Sequence, residues 1–176
     1  MTVSNEARAY GGVGERVARS TSVGGLLLRR WLGAWIDFIA LALVFVAPAF
    51  LLDLVGASNA MAAAAGLVAA VLYFPLTEGL WGRSLGKLIS GTIVVDQAGK
   101  TPGFGRAAVR TVARLVEVNP FLLGGVPAGI VTANTRAHQR IGDLLAGTYV
   151  VPIRELETAK AAGNGADLKA LANEFS

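Results

Sequence analysis

Asp37 is the only charge in the run from Trp31 to Leu52, and a carboxylate in so apolar a setting has few things it can do. Near the middle of a membrane-spanning helix it costs roughly 2.5–3.5 kcal/mol on insertion scales, so it must face a partner or a wet cavity. There it can exchange a proton, ligate a cation, or sit in an ion pair. Arg30 lies seven residues earlier, two helical turns back on the same face, and is the expected partner. Two readings follow. Asp37 is a functional carboxylate with Arg30 as its countercharge, or the two form a structural pair that fixes helix packing.

Other chemistry is sparse. The chain has no cysteine and one histidine, His138, which excludes disulfides, thiolate metal sites and multi-histidine metal sites. Ser84 and Ser90 have no identifiable activating base, and Asp37, Glu78, Glu117 and Asp143 are all separate in sequence. Gly82-x-x-x-Gly86-Lys87 is one residue short of a Walker-type loop and has Leu88 where Ser or Thr is required. It is read instead as a tight turn at the membrane surface, with Lys87 touching lipid phosphate. No enzyme activity, cofactor or metal is expected.

The elements that position Asp37 follow from hydropathy. Hydrophobic residues make up 53% of the 176 residues, with a mean hydropathy of +0.54, and the excess is concentrated in blocks. That pattern indicates a membrane protein. A first span is expected over about 31–55, with Pro48 kinking its second half, and a second over about 60–80. Ala62, Gly66 and Ala70 form a weak small-xxx-small face on the second. Residues 1–24 are Gly-, Ser- and Arg-rich and are expected to form a flexible leader; they do not resemble a cleaved signal peptide.

Charge asymmetry sets the orientation. Arg8, Arg16, Arg19, Arg29 and Arg30 precede the first span, and Arg83, Lys87, Lys100, Arg106, Arg110 and Arg114 follow the second. The 53–59 turn has no basic residue, so it should face outward, with both flanks cytoplasmic. The net charge of +4 is carried beside the apolar blocks, which fits anionic lipid headgroups and not nucleic acid.

Beyond the hairpin, Gly91–Asp96 and Gly147–Pro152 are β-branched and are expected to pair as short strands at the cytoplasmic surface. Between them, about 104–118 reads as a helix in which Arg106, Arg110 and Arg114 form one basic stripe. It is expected to lie in the interface plane with those arginines on lipid headgroups; a solvated face of an ordinary helix is the alternative. Residues 121–133 are apolar but short, suited to a re-entrant or tilted helix, with a true third span as the alternative. Residues 153–176 read as a polar tail, with or without a short terminal helix.

Three blocks in order resemble the RDD family of small membrane proteins, named for one arginine and two aspartates. They are Leu28-Arg29-Arg30-Trp31 through Asp37, Gly82-Arg83-Ser84-Leu85-Gly86-Lys87 through Val95, and Arg140-Ile141-Gly142-Asp143 through Val151. The resemblance covers about 25–152 and implies that Arg30 is the named arginine and Asp37 and Asp143 the two aspartates. Many relatives carry a histidine where this chain has Gly142, which removes a proton-relay role for that position. Asp143 has two readings: a cap on the segment entering Gly147-Thr148, or a partner folding back to Arg30 or Lys87.

The expected architecture is an all-α integral membrane protein of the cytoplasmic membrane, multi-pass, with a cytoplasmic N-terminus. A two-span hairpin is joined to amphipathic and re-entrant helices and a short strand pair. The expected function is transport of a small cation or proton, as a homo-oligomer or with a membrane partner, because two spans cannot enclose a pathway. The rival is a non-transporting scaffold or accessory subunit in which the same charges are structural.

Overall fold

A computed structural model describes residues 12–117 and 126–174. Two long helices dominate, α2 (Val23–Leu54) and α3 (Asn59–Trp81), preceded by a short α1 (Val13–Ser20). At 1.5 Å per residue, α2 is about 48 Å long and α3 about 35 Å, so α2 exceeds a ~30 Å hydrocarbon core by several turns. Both are apolar enough to cross a membrane, with mean hydropathies of 2.3 and 1.8. Their apolar windows are only 11% and 17% buried, where the core helix of a soluble protein would be mostly enclosed. Trp31, Trp35, Phe38, Ile39 and Leu43 stand exposed along α2.

The hairpin closes through small residues. A Cβ on Gly66 would lie 2.4 Å from the Phe45 carbonyl oxygen, so the two backbones meet there. Ala62 and Gly66 are buried against α2, which gives the small-residue face of the second span a packing role. Ser58 caps α3 by accepting from the Met61 amide at 3.4 Å. The helix ends on Gly82, whose φ of 68° is the left-handed turn that glycine tolerates best.

A short α4 (Leu85–Ile89) leads into β1 (Thr92–Asp96); α5 (Gly103–Glu117), α6 (Val126–Asn134) and α7 (Ile141–Ala146) follow, then β2 (Thr148–Pro152) and α8 (Ile153–Glu174). β1 and β2 pair antiparallel, with Val94 opposite Val150 and Asp96 opposite Thr148. Side chains alternate across such a ribbon, and both of its faces are used. Val95 and Val151, on one face, join Val17, Ala18, Ala137 and Leu156 in a small core covered by α1 and α8. Thr92, Val94, Thr148 and Val150, on the other, are buried toward the base of the hairpin.

Three expectations need correction. The leader is folded from residue 13 onward: Val13 and Val17, four apart, give α1 an apolar stripe too short to stand out in the sequence. The tail is helical from Ile153, with Leu156 buried on the same core. The largest correction concerns α5. Val109, Val112 and Leu115 face outward, while Arg110 is wholly buried and Arg114 is 13% exposed at its side chain. Two of the three arginines of the stripe, Arg110 and Arg114, point into the protein and not outward, while Arg106 stays half exposed. Of the short apolar segment, residues 121–125 lie outside the described residues.

A very close backbone approach joins α2 to α4. A Cβ on Gly86 would lie 1.9 Å from the Gly33 carbonyl oxygen, a backbone atom that cannot yield without moving a helix. Gly86→Ala is expected to destabilise the protein by about 3 kcal/mol or more. Gly105→Ala, where a Cβ meets open space, is expected to be neutral or stabilising by up to about 1 kcal/mol. Thermal unfolding of both variants in detergent, beside the wild type, checks the contrast.

Candidate functional site

The chemistry-bearing side chains converge at the base of the hairpin, where α2, α3, α4, α5 and α7 meet. Asp37, on α2, is 5% exposed. Its Oδ1 accepts from the Gly86 amide at 2.8 Å and from the Tyr73 hydroxyl at 3.1 Å, and its Oδ2 accepts from Ser84 Oγ at 2.5 Å. Tyr73 in turn accepts from the Leu85 amide at 3.1 Å. The carboxylate thereby serves the free donors that open α4, which explains why the Gly-x-Ser-Leu-Gly block must approach α2 so closely. Among the described residues Asp37 forms no ion pair.

Arg30 does not pair with Asp37. It turns the other way, donating from Nη2 to Asp143 Oδ2 at 2.6 Å and from Nη1 to the His138 carbonyl at 2.7 Å. His138 presents that carbonyl from a left-handed conformation, φ 51°, uncommon for a non-glycine residue. Helical spacing placed Arg30 and Asp37 on one face, but α4 occupies the position between them. Asp143 combines both expected roles. It sits in the first turn of α7, accepts from the Arg140 amide at 3.3 Å in a capping arrangement, and binds Arg30.

The residue that sequence reasoning missed is Glu78. Wholly buried, it accepts from Lys87 Nζ at 2.8 Å, Arg114 Nη2 at 2.7 Å and Arg110 Nε at 2.9 Å. A signal was present: an acid in the last turn of a helix opposes the helix dipole and needs compensation. Arg110, also wholly buried, links the two carboxylates, donating to Glu78 through Nε and to Asp143 and Thr148 Oγ1 through Nη1. Arg114 also stacks over the Phe74 ring, its guanidinium carbon 3.6 Å from the centroid. Lipid-headgroup contact is therefore excluded for Arg110, whereas Lys87 and Arg114 are partly buried, each pairing with Glu78. Arg106 is different: half exposed, it reaches Asp96 at 3.7 Å.

Cations crowd these acids. For Asp143, burial raises the carboxyl most strongly, yet Arg110, Arg30 and Arg140 together overturn it and hold the group below the usual carboxylate range. For Lys87, burial dominates and lowers the ammonium from its ordinary 10.5 to about 8, against the pull of Glu78. Arg110 Nη2 and Arg114 Nη1 are buried with no hydrogen-bond partner among the described residues. Among the described residues no group of three His, Cys, Asp or Glu could hold a metal ion.

Beside the cluster lies a cavity of about 680 Å³ between α2, α3 and α5. Arg30, Asp37, Lys87 and Arg114 line one end, and Phe38, Leu41, Leu67 and Val71 the other.

Neutralising Glu78 strands three cations. Glu78→Gln is expected to cost about 3–5 kcal/mol, whereas Arg106→Gln, which removes an exposed pair, is expected to cost under about 1 kcal/mol. Unfolding temperatures in detergent separate the two. The pH response of Lys87 has a defined sign. Between about 8 and 10.5 the unfolded chain holds the proton that the folded chain has released, so stability rises with pH across that window. Asp143 has the same sign in a more acidic window: its contribution is complete above the ordinary carboxylate range and is lost as pH falls below it. The expected result is a rise in wild-type unfolding temperature from pH 8 toward 10.5 that Lys87→Gln lacks. Equal slopes in both proteins would assign the titration elsewhere.

Searches of curated proteins and of solved structures return no match. The RDD family model matches residues 25–147, which takes in the hairpin, the Gly82–Lys87 block and Asp143. With two membrane-span-length helices and the arginine and two aspartates at the base of the hairpin, the chain is a membrane protein and belongs to the RDD family.

Proposed function

We propose that the protein moves a small ion across the cytoplasmic membrane, with Asp37 as the carboxylate that carries or exchanges it. The observation that carries this reading is the contrast between Asp37 and its neighbours. Asp143 and Glu78 are clamped by several cations each, whereas Asp37 is met by a tyrosine, a serine and a backbone amide, and borders a cavity. A buried carboxylate held only by neutral donors is free to gain a proton without breaking an ion pair. Arg30, Lys87 and Arg114 on the same cavity wall make it a poor seat for a metal cation. The N-terminus and the charge cluster lie on the cytoplasmic side in this reading, from the absence of basic residues between the spans. Two spans enclose no pathway, so the working unit is a homo-oligomer or a complex with a membrane partner.

The scaffold reading has its own support: Arg30, the named arginine, is committed to Asp143 and to the His138 carbonyl, a frame-building arrangement. Asp37→Asn separates the two, because an amide oxygen can still accept from Gly86 and Tyr73. Proton flux into proteoliposomes under an imposed gradient is expected to fall at least about tenfold in Asp37→Asn, with the unfolding temperature close to wild type. Wild-type proteoliposomes without flux, together with a variant that loses its fold, would make the aspartate architectural.

A further inference from the structure

We propose that the cavity between α2, α3 and α5 is a binding site for one anionic phospholipid, its phosphate at the cationic end and an acyl chain along the apolar end. The inference rests on the cavity and its charges and stands whether or not the protein moves ions.

The shape and polarity of the cavity argue for an amphiphile. Its wall on α2 runs from Arg30 to Leu41, about 16 Å at helical rise, long enough for a headgroup and much of a chain. Charge is confined to one end. There Arg30, Lys87, Arg114 and Arg140 outnumber the single acid of the wall, Asp37, whose oxygens are already occupied by Ser84, Gly86 and Tyr73. At the other end Phe38, Leu41, Leu67 and Val71 offer only hydrocarbon. Its volume, about 680 Å³, falls among those of sites that hold a small amphiphilic ligand.

The charge balance identifies the headgroup. Glu78 has two oxygens and three cations upon it, Lys87, Arg110 and Arg114. Arg110 is also shared with Asp143, but Lys87 and Arg114 have Glu78 as their one carboxylate partner among the described ion pairs. Arg114 lines the cavity, and its Nη1 is buried without a hydrogen-bond partner among the described residues. An excess of cations with an unused guanidinium donor favours a phosphate, which offers several acceptor oxygens and geometry that matches arginine. A zwitterionic headgroup would bring its own cation to a wall that already holds four.

The occupant comes from the bilayer. Phe38, Leu67 and Val71 are also exposed on the outer surface of the hairpin, so the apolar end is continuous with the lipid-facing side. A free phosphate would satisfy the cations and leave the apolar end unfilled.

Native mass spectrometry of the full chain, delipidated in detergent, tests this against phosphatidylglycerol, phosphatidylcholine with identical chains, and inorganic phosphate. The expected result is one phosphatidylglycerol per chain, retained at least about tenfold more tightly than phosphatidylcholine or phosphate. Ala70→Trp, which fills the apolar end without touching a charge, is expected to weaken that binding about tenfold at unchanged unfolding temperature. Val71→Trp serves the same purpose if the first variant does not fold. Equal retention of the two lipids, phosphate bound as tightly as phosphatidylglycerol, or binding indifferent to a tryptophan in the cavity would each overturn the proposal.

Discussion

The buried guanidinium of Arg110 is the point on which the structure turns. It is wholly enclosed and donates to carboxylates on two different elements, Glu78 at the end of α3 and Asp143 at the start of α7, and to Thr148 on β2. A charge so buried is tolerable only with its counterions in place, and those counterions are in turn tolerable only with it. Three segments far apart in the chain are thus held to one register by mutual necessity. Around this centre Arg30 ties α2 to α7, and Lys87 ties α4 to α3. Apolar contact alone would not specify such an arrangement inside a bilayer, where lipid solvates hydrocarbon as well as protein does.

The three residues that name the family divide their labour. Arg30 and Asp143 meet each other and belong to the charge frame. Asp37 stands apart, organising the turn into α4 through neutral donors. The conformation of the Gly82–Lys87 block follows from that contact. Gly82 supplies a left-handed turn after α3, Ser84 and the Gly86 amide reach the carboxylate, and Gly86 lacks the side chain that would collide with Gly33. Lys87, one residue later, is delivered to Glu78. A block that looks like a weakened phosphate loop is a docking turn between two helices.

Much of the scaffold could be read directly. Long apolar runs have one low-energy solution in lipid, so both long helices were visible in hydropathy, and β-branched runs beside glycine marked the strands. Pairing was harder. Arg30 and Asp37 share a helical face, and that local rule suggested a bond the fold does not make; the partner chosen, Asp143, lies 113 residues away. Periodicity likewise revealed a basic stripe on α5 but not which way it points, because its partners on α3 and α7 are remote in sequence. Glu78 was visible as a lone carboxylate but not as a hub, for the same reason. Its meaning comes from Arg110, 32 residues on, and from Arg114, 36 residues on. Short helices were the remaining gap: α1 carries too few apolar positions to show a period.

The inward-facing arginines of α5 also bear on how the chain is built. As an isolated segment this helix pairs an apolar flank with unpaired guanidinium groups, and hydrocarbon would reject it. Its acceptance depends on Glu78, which arrives with the second span. The hairpin is apolar enough to cross a membrane by itself, whereas the seat for Arg110 and Arg114 is made by Glu78 on its second helix. Arg110, once seated, presents no charge to the lipid, so a count of basic residues along the chain overstates the charge that the folded surface offers to headgroups.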